Sequence, residues 1–269
     1  MHRLIQPVER RAEIHMREVH FTERLPLKLP RVYVPTESFS RNGVIFPAKV
    51  AHYVKNVLRL QTGDHLEAFD GDHVHLVRLE YLGTEVHGEL IVSRDVARQS
   101  DLDITLAFGC VRPGPFQEIL RHGAELGVNR FVPLLTRRTA RRPERKKSRW
   151  ETILTSAVSQ SGRTRMPVIE EPIGFDTFIS REIAQTDRYI LSQRHPTRPF
   201  WEALKDSYGM NVIILVGPEG GFDELEEEAA VKASYQPVQI ADYTLRTETA
   251  AIVGIGLVAA RFNYFEKIL

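Results

Sequence analysis

The chain has 269 residues, with 36 Lys and Arg against 35 Asp and Glu for a net charge of +1, and 42% of its residues are apolar. That length accommodates one large or two modest domains. The composition is that of an ordinary globular protein, not a disordered, fibrous or disulfide-stapled one. The longest apolar run, 250–260, contains two glycines and is too short to span a bilayer, so it reads as a buried helix. Residues 1–30 carry scattered charges and no apolar core, so no secretory leader is expected. The lone Cys110 excludes an internal disulfide and fits a reducing, cytoplasmic setting; it reads as strand packing, not a catalytic thiol.

Residues 1–30, with Pro7, Pro26 and Pro30, read as an N-terminal extension. From 31 to about 98 the signals are β-type, and Asp70-Gly71 between 66–69 and 73–79 predicts a hairpin turn. A short helix over 47–57 carries His52 and Lys55. This N-terminal part predicts a small β-barrel. A polar joint at 97–101 leads into alternating strands and helices over 99–269. Strands are predicted at 104–111, 130–135, 188–191, 211–216 and 237–241. Helices are predicted at 115–126, 148–161, 199–205, 223–233 and 247–265. Gly127 and Gly162 end two of these helices, and Ser148-x-x-Glu151 has the form of a capping box. Such alternation predicts an α/β domain with a mostly parallel sheet covered on both faces.

Two segments concentrate the chemistry. Gly217-Pro218-Glu219-Gly220-Gly221-Phe222 follows an apolar strand and precedes the acidic start of a helix. Leu245-Arg246-Thr247-Glu248-Thr249-Ala250 follows a second strand and runs straight into another helix. Two such βα loops from neighbouring strands form one ligand crevice, and glycines let a ligand reach backbone N–H groups without interference from a Cβ. Gly254-x-Gly256-x-x-Ala259 fits the dinucleotide fingerprint, but no strand precedes it and no further βαβ unit follows, so close helix packing is expected. His73 and His75 alternate on one strand face, an arrangement able to bind a metal; surface or RNA contact is the reading preferred, and no required metal is expected. Between Arg137 and Arg149 lie eight Lys or Arg residues and one acid, Glu144: either a solvated face or a phosphate-contacting patch.

The two loops, in this order, resemble the cofactor-binding end of the SPOUT methyltransferases. More narrowly, the chain from Arg31 onward is similar to the RsmE-type enzymes that methylate N3 of a uridine in 16S ribosomal RNA. Further blocks carry this resemblance: His52-Tyr53-Val54-Lys55-Asn56-Val57-Leu58-Arg59-Leu60 with Gly63-Asp64, Glu125-Leu126-Gly127-Val128, and Ser161-Gly162-Arg163. The chain departs from the family pattern at Ser159-Gln160, Arg121-His122 and Ile240-Ala241. The resemblance implies a PUA-like RNA-binding barrel at 31–98 and a knotted SPOUT domain at 99–269. It also implies a homodimer, 16S rRNA within the small ribosomal subunit as partner, and S-adenosyl-L-methionine as cofactor.

On this resemblance the cofactor would be held by Leu191, Leu215, Gly217, Pro218, Glu219, Gly220, Gly221, Ile240, Leu245, Thr247 and Thr249. Methylating uridine N3 requires loss of its proton and stabilisation of an anion spread over O2 and O4. A guanidinium donates a planar fork to such an anion, which points to Arg246. Glu248 and Glu219 are the candidate bases, and either can serve instead to hold backbone N–H groups. RNA contacts are expected from Arg31, Lys55, Arg59, Arg141, Arg142 and Arg163. Two further readings remain: a non-catalytic RNA-binding or ribosome-assembly protein, and a SPOUT methyltransferase with another RNA target.

Overall fold

A computed structural model describes residues 29–41, 43–82, 85–96, 101–139, 147–181, 185–194, 198–207 and 209–263. The chain divides into two units after Val96. Of the expected N-terminal extension only Leu29 and Pro30 are described, and the 97–100 joint, Arg141 and Arg142 lie outside the described residues.

In the first unit, β1 (Arg31–Tyr33), β2 (Gly43–Ile45), α1 (Ala48–His52), β3 (His65–Phe69), β4 (His73–Leu82) and β5 (Glu85–Asp95) follow in order. The strands pair in the order β1-β3-β4-β5-β2, all antiparallel except β1 beside β3. Period-2 alternation puts Val32, Val44, Leu66, Ala68, Val77, Leu79 and Val86 on one apolar face, where Val50, Ala51 and Val54 of the helical segment pack. The turn expected at Asp70-Gly71 forms as predicted: Gly71 takes φ +114°, and Oδ1 of Asp70 accepts the N–H groups of Asp72 and His73. Burial pushes the Asp70 carboxyl up, but these N–H groups and the His73 ring outweigh it and hold the pKa below the ordinary value. Burial lowers the His75 pKa. After α1 the helix widens to π geometry over Tyr53–Val57, a feature that recurs at functional sites.

The second unit runs β6 (Asp103–Gly109), α2 (Pro113–Glu125), β7 (Val128–Leu135), α3 (Lys147–Ser161), β8 (Val168–Ile169), β9 (Ile173–Gly174), α4 (Phe175–Ile179), β10 (Thr186–Leu191), β11 (Arg198–Pro199), α5 (Phe200–Ala203), β12 (Asn211–Val216), α6 (Glu224–Lys232), β13 (Gln236–Gln239) and α7 (Thr247–Asn263). All pairings in its sheet are parallel, in the order β11-β13-β10-β12-β6-β7-β8, with β9 also on β7. One face carries α4 and α6 over Ala107, Val132, Ile213 and Leu215; the other carries α2, with α3 and α7 packed against it. Gly127 follows the end of α2 at φ +106°, where a left-handed residue closes the helix. The capping box expected at Ser148 does not cap: α3 already includes Lys147, so Ser148 is helical. The capping box that does form is Asp223 with Glu226, opening α6. The Gly254–Ala259 glycines lie within α7; a Cβ on Gly254 would meet Leu191, Ile214 and Phe200 at 3.5–3.8 Å, so Gly254 sits where the helix packs on the sheet, whereas a Cβ on Gly256 would meet nothing within 4 Å among the described residues. Cys110 is buried, and burial pushes its thiol up to about 12, which suits packing and not nucleophilic work.

Candidate active site

A cleft of about 300 Å³ opens at the carboxyl ends of three adjacent strands, β10, β12 and β13. That is where a parallel sheet presents ligand sites, and the volume lies at the lower end of small-molecule pockets. The segment after β10 supplies Leu191, Ser192, Gln193 and Arg194. Val216 to Phe222 come from the loop after β12, and Val238 to Ala241 with Tyr243 to Leu245 from β13 and its loop. Thr247 and Ala250 close it from the first turn of α7.

The β12 loop is shaped by close approaches. A Cβ on Gly217 would stand 2.9 Å from Phe222 N and 3.0 Å from Gly221 Cα, so the chain can fold back only over a glycine. Gly221 sits at φ +68° and its N–H returns to Pro218 O at 2.8 Å. This turn leaves the N–H groups of Glu219 and Gly220 without a protein partner among the described residues. Below the loop, Gly109 ends β6 with no room for a side chain under Pro218. Glu219 Oε1 accepts the N–H of Arg112 at 3.2 Å and so ties the loop to the start of α2.

From the other side, Arg138 donates to Gly220 O at 2.8 Å, and both Arg137 and Arg138 approach Asp223. Buried Glu226 accepts the N–H groups of Arg137 and Asp223, each at 2.8 Å, joining the β7 and β12 loops. Deeper in the cleft Ser192 donates to the buried carboxylate of Glu227 at 2.6 Å.

Of the residues expected to hold the cofactor, Leu191, Gly217 to Gly221, Ile240, Leu245 and Thr247 line the cleft. Leu215 does not. Strand alternation turns it into the core beneath α4 and α6, and the next residue, Val216, lines the cleft in its place. Thr249 is exposed on α7 and does not line the cleft either. Arg246 is exposed between two lining residues. Its carbonyl accepts the Ala250 N–H at 2.8 Å, and its guanidinium has no partner among the described residues. Glu248 lies one residue into α7, half-buried.

Two expected RNA contacts are engaged inside the fold. Arg31 pairs with Glu67 at 2.9 Å and lies over the Phe69 ring. Arg163 donates to the carbonyls of Ala124 and Val128 at 2.6 and 2.9 Å, clamping the end of α2, and burial lowers its pKa to about 10. Lys55 and Arg59 are exposed, with Lys55 over the Tyr81 ring and Arg59 at φ +56°. The Ser192–Arg194 segment, Glu227 and Gly109 do not stand out in the sequence: a serine after a strand or a second glutamate in an acidic helix start carries no signal of its own.

The cleft suits S-adenosyl-L-methionine. It pairs unengaged backbone N–H groups on the glycine turn with apolar walls at Leu191, Val216, Ile240 and Leu245. Comparison with known proteins agrees. Residues 98–259 match the model of an RNA methyltransferase domain, and residues 46–87 match an RNA methyltransferase PUA domain. The chain is 32% identical over 235 residues to the Synechocystis ribosomal RNA small subunit methyltransferase E, covering 86% of this chain and 77% of that one. The crystal structure of the same enzyme from Neisseria gonorrhoeae, bound to S-adenosyl methionine, matches with TM-score 0.76 and 30% identity over 87% of this chain and 97% of that one. A Legionella pneumophila methyltransferase in complex with the same cofactor matches with TM-score 0.78 and 27% identity, over 87% and 98%. The chain belongs to the RNA methyltransferase family, in the group of ribosomal RNA small subunit methyltransferase E proteins.

Proposed function

We propose that the protein transfers a methyl group from S-adenosyl-L-methionine to N3 of a uridine in 16S ribosomal RNA, as a cytoplasmic homodimer acting on the small subunit. The observation that carries this reading is the guanidinium of Arg246, without a partner among the described residues and set between two residues that line a cleft with open backbone N–H groups. When bound, the cofactor supplies a methyl group on a sulfonium centre. Leu191, Val216, Ile240 and Leu245 wall its adenosine, and the N–H groups of Glu219 and Gly220 bind its polar edges. Arg246 donates to O2 or O4 of the uridine as N3 loses its proton, lowering the cost of the anion. Glu219 holds the Arg112 N–H through one oxygen, and Glu248, two residues after Arg246 in the first turn of α7, is the side-chain base in this reading, its conjugate acid giving the proton to solvent.

Tyr243 is 82% exposed on the rim of the cleft and offers a ring face on which an unstacked base can rest. Lys55, Arg59 and the segment with Arg141 and Arg142 supply phosphate contacts, with residues 31–98 as the RNA-binding domain and 99–269 as the catalytic one.

The test is incubation of the purified protein with methyl-labelled cofactor and either naked 16S rRNA or small subunits from an unmodified strain. Nucleosides are then resolved by mass spectrometry. One 3-methyluridine per rRNA is the expected product. No incorporation into either substrate, or a methyl group on a ribose hydroxyl, overturns the reading.

A further inference from the structure

The β3–β4 hairpin brings together three side chains outside the cleft. Asp70 closes the turn with one oxygen only: Oδ1 accepts two backbone N–H groups, while Oδ2 faces Nδ1 of His73 at 3.3 Å. His75, two residues on, shares the strand face, its ring centroid 5.8 Å from that of His73. Ser93 Oγ lies 2.7 Å from His75 Nδ1, which leaves Nε2. One donor atom from each of Asp70, His73 and His75 lies within 4.8 Å of the other two.

We propose that Asp70, His73 and His75 form a binding site for a divalent transition metal, with Zn²⁺ the best match. The donor set is one carboxylate and two imidazoles, which suits Zn²⁺ and not Mg²⁺ or Ca²⁺. Metal–donor distances of about 2.0–2.2 Å require each donor to move inward by less than about 1 Å. The Asp70 side chain is 3% exposed and His75 5%, so two of the three donors are held in place by the surrounding fold.

Both imidazoles also have outer partners. Ser93 holds the ring nitrogen of His75 that faces away from the ion, and Asp95 Oδ1 lies 3.5 Å from His73 Nε2. Such partners orient ligating histidines. Phe39 covers the His75 ring at 4.4 Å, and the half-exposed His73 side leaves an open position for water. Ser93 and Asp95 stand opposite His75 and His73 in the β4–β5 register, so an ion here would brace the turn against β5.

The test uses the untagged full-length protein, stripped with chelator and titrated with Zn²⁺ by calorimetry and with Co²⁺ by visible absorption. The expected results are one ion per chain, a raised melting temperature and a cobalt spectrum typical of nitrogen–oxygen ligation. His73→Asn, at a half-exposed position, should abolish all three. Asp70→Asn, which keeps the Oδ1 acceptor of the turn, should weaken affinity more than tenfold. Fewer than half an ion per chain, or binding that persists in both variants, overturns the proposal. The latter would assign the ion to other histidines of the chain.

Discussion

Gly109 lies so close beneath Pro218 that a Cβ on it would stand 2.4 Å from both the nitrogen and the Cδ of the proline. The parallel register sets Phe108 opposite Val216, so β6 runs one residue past β12 and the β12 loop rests on that last residue, the glycine. Gly109→Ala must push Pro218 outward or strain β6, and overpacking of this kind costs about 1–3 kcal/mol. The expected outcome is a rise of about tenfold or more in the dissociation constant for S-adenosylhomocysteine, read by calorimetry. Unchanged affinity would show that the loop position does not set cofactor binding.

Gly217 and Gly220 separate two meanings of a glycine in the same loop. A side chain on Gly217 meets backbone at 2.9 Å, whereas one on Gly220 first meets the flexible Arg138 side chain at 3.4 Å. Gly217→Ala should therefore abolish cofactor binding, while Gly220→Ala should change it only a few-fold. Equal losses in calorimetry would mean that space along the ligand, and not the fold of the turn, governs both positions.

Glu226 joins two loops through two backbone N–H groups. Glu226→Ala leaves both half-buried donors without their acceptor, at a cost of about 1–2 kcal/mol. Denaturant unfolding should show that loss. Glu226→Gln, which keeps one acceptor oxygen, should recover about half of it. A loss below about 0.5 kcal/mol would mean that water replaces the carboxylate.

The sequence marks the strand–loop–helix order of the second unit because each long element carries a period of its own, and glycines punctuate the ends. Elements of a few residues, such as β8, β9, β11 and α4, are too short to show a period. Which side of a strand faces the cleft is fixed by neighbouring strands; this is why Leu215 and Val216 exchange roles. Arginines are the least legible. Arg31, Arg163 and Arg246 look alike in sequence, yet the first meets Glu67, the second finds the carbonyls at the end of α2, and only the third has no partner among the described residues. An expectation of RNA contact rests on charge, whereas these outcomes rest on what folds up beside it.

Tyr243 is the exposed aromatic on the cleft rim, where a base drawn out of its stack would need a flat partner. Stacking of this kind is worth about 1–3 kcal/mol per base. Tyr243→Ala should lower kcat/KM for rRNA by about tenfold or more, with Tyr243→Phe close to wild type and cofactor affinity unchanged in both. A phenylalanine variant as impaired as alanine would assign the role to the hydroxyl, and two active variants would remove Tyr243 from substrate contact.

Arg246 bears the sharpest expectation. Its carbonyl begins the hydrogen-bond ladder of α7 while its guanidinium stands unengaged beside the cleft, so the backbone fixes the position and no competing acceptor holds the charge. A donor aimed at developing negative charge is worth about 10²–10³ in rate. Arg246→Ala should lower the single-turnover methylation rate by that factor while the affinity for S-adenosylhomocysteine changes little. Arg246→Lys should restore little of the rate, because an ammonium cannot present the planar fork that bridges adjacent acceptors. The two measurements separate the alternatives. Parallel losses in rate and affinity would make Arg246 a cofactor-positioning residue, and a near-normal rate would remove its guanidinium from stabilisation of the uridine anion.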